Sequence, residues 1–517
     1  MKLMSNIITS PLGDGIYTVI FAILLIASVV GAVWYFATNI AKAKDECLYV
    51  KGIEPKSFIW IILLVGFLIR LIFGLIMKGY RGAMGTINYE LNGYYEIYKA
   101  IEIIQDNGFG SLYNYSMNLF PVSAYIMSLF ASIAKIFGAW GVNTAVTQFF
   151  MRLPLILCDV ASAYLMYRIA KKYVNDYIGL TIAAVFMFCP VFMFGSAISV
   201  TPYPIMILGL VVTVYFLLSK NYAGLMLSFA ITLLTMPDAV FLLPIVLIYI
   251  IYTFIKLINS NDKNKAQENK KTIISISCFA VLSIVLMYML SLPFFIEDFG
   301  VNPFTIMYNL LLKPFGQAIY FSFNSLAIYN ILGKNGARVK FNFPPEIFVI
   351  AFFIIAIVIV ILVYGSKRNR ANLVLLAAYL IVTFSIYMLG TSELTIMPAF
   401  VLLLLSFVLI RDKRILKVFA ILSLIVFVNY MTVMIQSGFL SNVGSKAFAS
   451  TAYNGDAVLL AKSSIGSIIN IVCSICAAIA HVYFTMVILD ITVTEKRKII
   501  TSGNNLKEVI AAWLSTK

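Results

Sequence analysis

The sequence predicts an all-α polytopic membrane protein of about thirteen transmembrane helices, and three observations carry the prediction. Hydrophobic residues make up 62% of the 517 positions and charged residues only 12%, against about 25% charged in soluble domains. Thirteen apolar stretches are each long enough to cross a bilayer. Between them, lysine and arginine fall on every second loop. A backbone in lipid has no water to satisfy its N–H and C=O groups, so each stretch is expected to be helical.

The spans run, in order, over 16–37, 58–79, 147–169, 177–197, 202–219, 221–236, 238–256, 273–292, 346–365, 372–390, 395–410, 416–435 and 464–491. The first is followed by Lys42, Lys44, Lys51 and Lys56. Later basic clusters follow the same alternation: Arg168, Lys171 and Lys172, then Lys256 to Lys271, Lys367 with Arg368 and Arg370, Arg411 with Lys413 and Arg414, and Lys496 to Lys498. The positive-inside rule places all of them in the cytoplasm, with the N-terminus outside and the C-terminus inside. The net charge of +16 is then a match to anionic lipid rather than to nucleic acid. The segment before Ala41-Lys42-Ala43 is too long for a signal h-region, and its positive charge follows it.

Four regions result. Residues 1–57 hold an extra N-terminal helix and a cytoplasmic loop. Residues 58–258 form an N-terminal bundle with a large first outer loop at 80–146. A polar cytoplasmic linker at 259–271 separates it from a C-terminal bundle at 272–517, whose long outer loops are 293–345 and 436–463. Loops of this length in compact proteins are usually functional. In the first, Tyr94, Ile97, Tyr98, Ile101 and Ile104 repeat at helical spacing while Glu96, Lys99, Glu102 and Asp106 point elsewhere, predicting a helix over 94–106 lying flat on the membrane. After Gly108-Phe109-Gly110 the chain passes Tyr113, Tyr115 and Pro121 into a second, more apolar segment.

Several chemistries are excluded. One histidine, His481, rules out multi-His metal sites, and there is no Gly-rich phosphate loop. Cys158, Cys189, Cys278, Cys473 and Cys476 lie in or at spans, and Cys47 is cytoplasmic, so no disulfide framework is visible. Cys473-x-x-Cys476 near His481 lacks a fourth ligand and reads as helix packing. No cofactor is identified, and a divalent metal is left open.

The order of certain segments resembles the GT-C glycosyltransferases, integral membrane enzymes, mannosyltransferase-like members among them, that take sugar from a polyprenyl-phosphate donor at the outer face. Asn107-Gly108-Phe109-Gly110-Ser111-Leu112-Tyr113 is similar to a turn in that family's first outer loop. Arg152-Leu153-Pro154, continuing to Asp159, resembles its Arg-x-Pro-x-x-x-x-Asp span, and Ser322-Phe323-Asn324-Ser325 to Gly333 its Asn-rich stretch in the second long loop. Ser392-Glu393-Leu394-Thr395 stands where many members carry His-Glu-Arg-Tyr. The likeness spans most of 58–410, with 16–37 an N-terminal addition.

The resemblance implies a site on the outer side. The family's acidic residue near the start of the first outer loop falls here at Asn92 and Gly93, leaving Glu90 as the nearest group able to accept a proton from an acceptor hydroxyl. Arg81, Arg152 and Arg338 are the candidates for holding the donor phosphate, with Asn324 and Glu393 beside them. Asp159 is expected to pair with Arg152 or another base, since an unpaired carboxylate in a span is costly. The family's usual acid or amide after the fourth span, and its Lys near Met236, are missing. The expectation is therefore a plasma-membrane glycosyltransferase acting on an extracytoplasmic glycan, lipid or protein. Two alternatives stand beside it: a GT-C-derived scaffold without catalysis that binds a lipid-linked sugar or a membrane-protein partner, and a transporter or lipid flippase.

Overall fold

A computed structural model gives the arrangement of the chain. It describes residues 55–76, 94–113, 119–137, 141, 144–259, 266–299, 302–313, 321–337, 346–366, 369–434, 452–453, 458–459 and 465–494. The chain is an all-α polytopic membrane protein, and every expected span within the described residues is occupied by helix. The span at 16–37 and most of the outer loop at 436–463 lie outside them.

In chain order the helices are α1 (Pro55–Ile76), α2 (Tyr94–Asn107), α3 (Pro121–Ile136), α4 (Ala145–Tyr173), α5 (Asp176–Phe188), α6 (Pro190–Met193), α7 (Tyr203–Ser219), α8 (Tyr222–Leu233) and α9 (Leu243–Ile258). The second half adds α10 (Ala266–Phe299), α11 (Pro303–Leu311), α12 (Glu346–Ser366), α13 (Arg370–Tyr387), α14 (Met397–Ile410), α15 (Lys413–Met434) and α16 (Ile465–Thr492). Six of the described helices are long and apolar enough to cross a membrane alone, or up to seven if the bent α5–α6 segment counts as one span. The others, such as α7 and α14, are shorter apolar helices.

Short polar side chains start many of these helices. Thr144, Asn175, Asn221, Asn302 and Asn369 each accept a hydrogen bond from an N–H of the first turn, satisfying donors that have no helical partner. The centre of the bundle is α13 and α14, buried nearly end to end. By contrast α10 and α12 present rows of exposed isoleucine, valine and leucine, among them Ile284, Ile354 and Leu362, which face lipid.

The expected amphipathic segment is the helix α2. Its Ile97, Tyr98, Ala100, Ile101 and Ile104 are buried against the bundle, Asp106 is exposed, and Lys99 pairs with Glu102 at 2.6 Å on the outer face. The second segment is α3, with Pro121 at its first turn, where a missing N–H costs nothing.

The span expected as one piece at 177–197 is broken. Pro190 follows Cys189, whose extended backbone ends α5, and the chain turns by 54° into α6 and a π-helical turn, Phe194–Ile198. Proline cannot donate to the carbonyl four residues earlier, so the break leaves acceptors at Phe186 and Met187.

Among the described residues, basic groups from the loops expected on one side meet at one end of the bundle. Arg411 Nη2 donates to the Tyr173 carbonyl, Arg414 pairs with Asp412 and Asp490, Lys171 pairs with Asp176, and Arg370 Nε donates to Tyr249 Oη. At the other end, strand β1 (Ser322–Phe323) of the second long loop pairs in parallel with β2 (Thr391–Ser392).

Candidate functional site

The site grows from one face of α4. Gln148, Arg152 and Asp159 recur at helical spacing and are all buried, and α1 lays a matching stripe of Gly66, Arg70 and Gly74 across them. A Cβ at Gly74 would sit 2.5 Å from Arg152 Cδ. Only glycine leaves room for the arginine to pass.

Arg70 is fully buried and is held by the break in the neighbouring span. Its Nε donates to Asp159 Oδ2 at 2.9 Å, Nη1 to the Met187 carbonyl at 2.6 Å and Nη2 to the Phe186 carbonyl at 3.3 Å. These are the carbonyls orphaned by Pro190, so Arg70 caps the broken helix and Asp159 neutralises the cap. The partner of Asp159 is thus Arg70 and not Arg152. Asp159 Oδ1 and Ser196 Oγ are both buried without a hydrogen bond of good geometry.

Arg152 lies one layer further toward α2. Its Nε donates to the Ala197 carbonyl at 2.8 Å, at the end of the π turn. Its Nη1 donates to the Gln148 carbonyl at 3.1 Å and to Gln148 Oε1 at 2.5 Å. The guanidinium carbon stands 5.3 Å from the centre of the Tyr94 ring, at the start of α2, within cation–π range. Burial pushes the Tyr94 phenol above its ordinary range, against the lowering pull of Arg152, so the ring stays neutral. Among the described residues Arg152 meets only neutral partners, and its Nη2 carries no hydrogen bond.

Beyond the π turn lies a second polar group. Ser199 and Tyr430 share a hydrogen bond between hydroxyls, and Phe194 stacks on the Tyr430 ring. The Tyr203 hydroxyl donates to Asp238 Oδ2 at 2.7 Å and lies 3.3 Å from Thr395 Oγ1. Glu393, also buried, interacts electrostatically with Tyr430.

Asn324 is the hub of the second long loop. Its φ of 49° is left-handed, a conformation asparagine tolerates better than most residues. Its N–H and side-chain Oδ1 exchange hydrogen bonds with the Asn335 amide at 2.8 and 2.9 Å, and its carbonyl accepts from Asn429 at 2.7 Å and Asn470 at 3.3 Å. It also bridges to Ser392, next to Glu393.

Of the residues expected from sequence, Arg152, Asn324 and Glu393 are described, while Glu90, Arg81 and Arg338 lie outside the described residues. Asn324 and Glu393 fall together. Arg152 is separated from them by the π turn and Tyr430.

Against this geometry, one comparison bears on the chain's kind. Residues 64–304 match the model of the family described as GPI transamidase subunit PIG-U. The match covers just under half of the chain and includes Arg70, Arg152, Asp159, the broken span and Asp238. Asn324, Glu393 and Tyr430 fall beyond it. No curated protein matches the chain.

Sequence reasoning missed Gln148, Tyr203, Tyr430, Asn429 and Asn470. The asparagines had a readable signal, since a lone amide inside an apolar span demands a partner. Tyrosine in a span carries no such signal, because its ring is apolar and its hydroxyl is satisfied only by tertiary neighbours.

Proposed function

We propose that this chain is a non-catalytic membrane subunit, of GT-C-like architecture, that holds the phosphate-bearing headgroup of a lipid-linked sugar at the α2 end of the bundle. The observation that carries the reading is Arg152: a buried cation, fixed on two sides by neutral acceptors and stacked on Tyr94, with one edge of the guanidinium unspent among the described residues. A buried arginine without a carboxylate partner is expensive in a bilayer, and an anionic ligand recovers that cost through charge-assisted hydrogen bonds. Phosphate is the group in a lipid-linked sugar best matched to a guanidinium edge.

The likeness to a GPI transamidase subunit supports a role inside a larger membrane assembly handling a glycolipid. In that reading the α2 end faces away from the cytoplasm, as the basic loops at the other end imply. Glu393 and Asp238 then lie beyond the π turn as acceptors for sugar hydroxyls, and Asn324 positions the loop above them.

The test is binding by the purified full-length protein in detergent. Ligands are a polyprenyl-phosphate sugar, a glycosylphosphatidylinositol lipid, and a phosphate-free glycolipid of the same chain length as control. Arg152→Leu should weaken binding of the phosphate-bearing lipids by tenfold or more, as for a lost charge-assisted contact (roughly 1.5–3 kcal/mol), while Arg152→Lys retains part of it. Equal affinity in Arg152→Leu would remove the reading. Release of sugar from the polyprenyl-phosphate donor by the protein alone, abolished by Glu90→Gln, would replace it with sugar transfer.

A further inference from the structure

An apolar crevice lies toward the opposite, basic end of the bundle. It runs open-sided between α7, α8, α9, α13 and α14, lined by Leu210, Leu217, Leu225, Phe229, Leu373 and Ala377. Its volume of about 50 Å³ is several times the roughly 10–15 Å³ that one water requires on the same measure. Its wall holds two hydroxyls: Thr213, already bonded to the Gly209 carbonyl and to Ser228 Oγ, and Tyr249 at one end, which accepts from Arg370. Water has no polar partners there, so the natural occupant is hydrocarbon.

One end of the crevice is polar. Tyr249 lines it, stacks against Tyr222 with centroids 6.4 Å apart, and accepts a hydrogen bond from Arg370 Nε at 3.1 Å. Arg370 opens α13, one turn before Leu373 and Val374, which form the wall. It is half-buried and makes no ion pair among the described residues, so its terminal nitrogens are available. A methylene-lined slot with a guanidinium at its head has the shape and charge of a phospholipid: tail inside, phosphate outside.

We infer that this open-sided crevice grips a few methylenes of one acyl chain of an acidic glycerophospholipid from the leaflet on the basic side, with Arg370 holding the phosphate and Tyr249 orienting Arg370. The site is independent of the sugar-lipid reading, since it lies at the other end of the helices.

The experiment uses the full chain in nanodiscs of phosphatidylcholine with a minor fraction of phosphatidylglycerol, one of the two carrying a photoactivatable diazirine in an acyl tail. After illumination, labelled peptides are mapped by mass spectrometry. Diazirine-phosphatidylglycerol should label residues 210–217, 225–229 and 373–377 in preference to the lipid-facing row on α12. Arg370→Gln should cut that labelling about tenfold and labelling by diazirine-phosphatidylcholine, whose ammonium offsets its phosphate, by clearly less, and Arg370→Lys should restore much of it. Ala377→Phe, which fills the slot, should cut both; its elution as a single species by size exclusion reports that it folds. Labelling spread evenly over α12 and the crevice, or unmoved by Arg370→Gln, overturns the site.

Discussion

Replacing Arg70 or Asp159 should show that the pair is a helix cap before it is a salt bridge. Asp159→Asn leaves a guanidinium in a dry interior with only carbonyls for company, a loss of about 3 kcal/mol for stranding one member of a buried pair. Arg70→Met is worse. It strands the Asp159 carboxylate at about 3–5 kcal/mol and also uncaps the Phe186 and Met187 carbonyls at about 1 kcal/mol or more each. Arg70→Met with Asp159→Leu removes both charges and keeps only the carbonyl deficit, about 2 kcal/mol. The double variant should therefore be more stable than Arg70→Met alone, a coupling of at least about 2 kcal/mol. The assay is the temperature at which half of the purified protein is lost from its monodisperse peak in detergent, used as a rank order because such unfolding is irreversible. A double variant as unstable as the two single losses added together, or an Asp159→Asn protein indistinguishable from the unaltered one, would refute the argument.

Other outcomes follow from the same geometry. Asn324→Ala should destabilise the second long loop more than Asn324→Gly, because glycine keeps the left-handed backbone at φ 49°; limited proteolysis across 321–337 measures it. Gly179→Ala would place a Cβ 2.9 Å from the Tyr167 carbonyl and 2.8 Å from its ring, forcing α5 off α4 at a cost of about 1–3 kcal/mol, seen as a lower midpoint in the same thermal assay. Single cysteines at Lys172 and Lys413 should react with a membrane-impermeant maleimide only after the cytoplasmic face is opened, and those at Asn107 and Asn335 before it. In lipid, a spin label at Asp106 should report headgroup depth, and one at Ile101 should be immobilised; deep burial of Asp106 in the hydrocarbon would sink the interfacial placement of α2.

The helices were legible because the bilayer imposes one rule on every span, and hydropathy reads that rule directly. The same strength hid the break at Cys189–Pro190. Residues 177–197 are apolar throughout, and nothing in that run distinguishes a straight helix from one that turns at a proline and unwinds into a π turn. Arg70 is visible in the sequence as a cation in a span, yet its task depends on which carbonyls Pro190 exposes more than a hundred positions away. Arg152 was found through the likeness of its segment to a known pattern. Its neighbours were not, since Tyr94 and Ala197 meet it only when α2 and the π turn fold over α4. Glu393 and Asn324 were noticed separately, and the parallel pairing of β1 with β2 that joins them has no local signature in two-residue strands.

The last two spans are fastened at both of their ends. Asn429 of α15 and Asn470 of α16 bond to each other at 2.7 Å and share the Asn324 carbonyl, while at the far end Arg414 and Asp490 pair at 2.6 Å. Two antiparallel beams bolted top and bottom behave as a single stay. The second outer loop is anchored to that stay and cannot shift without tilting it. Any shift of that loop is therefore carried to the far end of both helices, while the 54° elbow at Pro190 is fixed separately, by the Arg70 side chain instead of a continuous helical ladder.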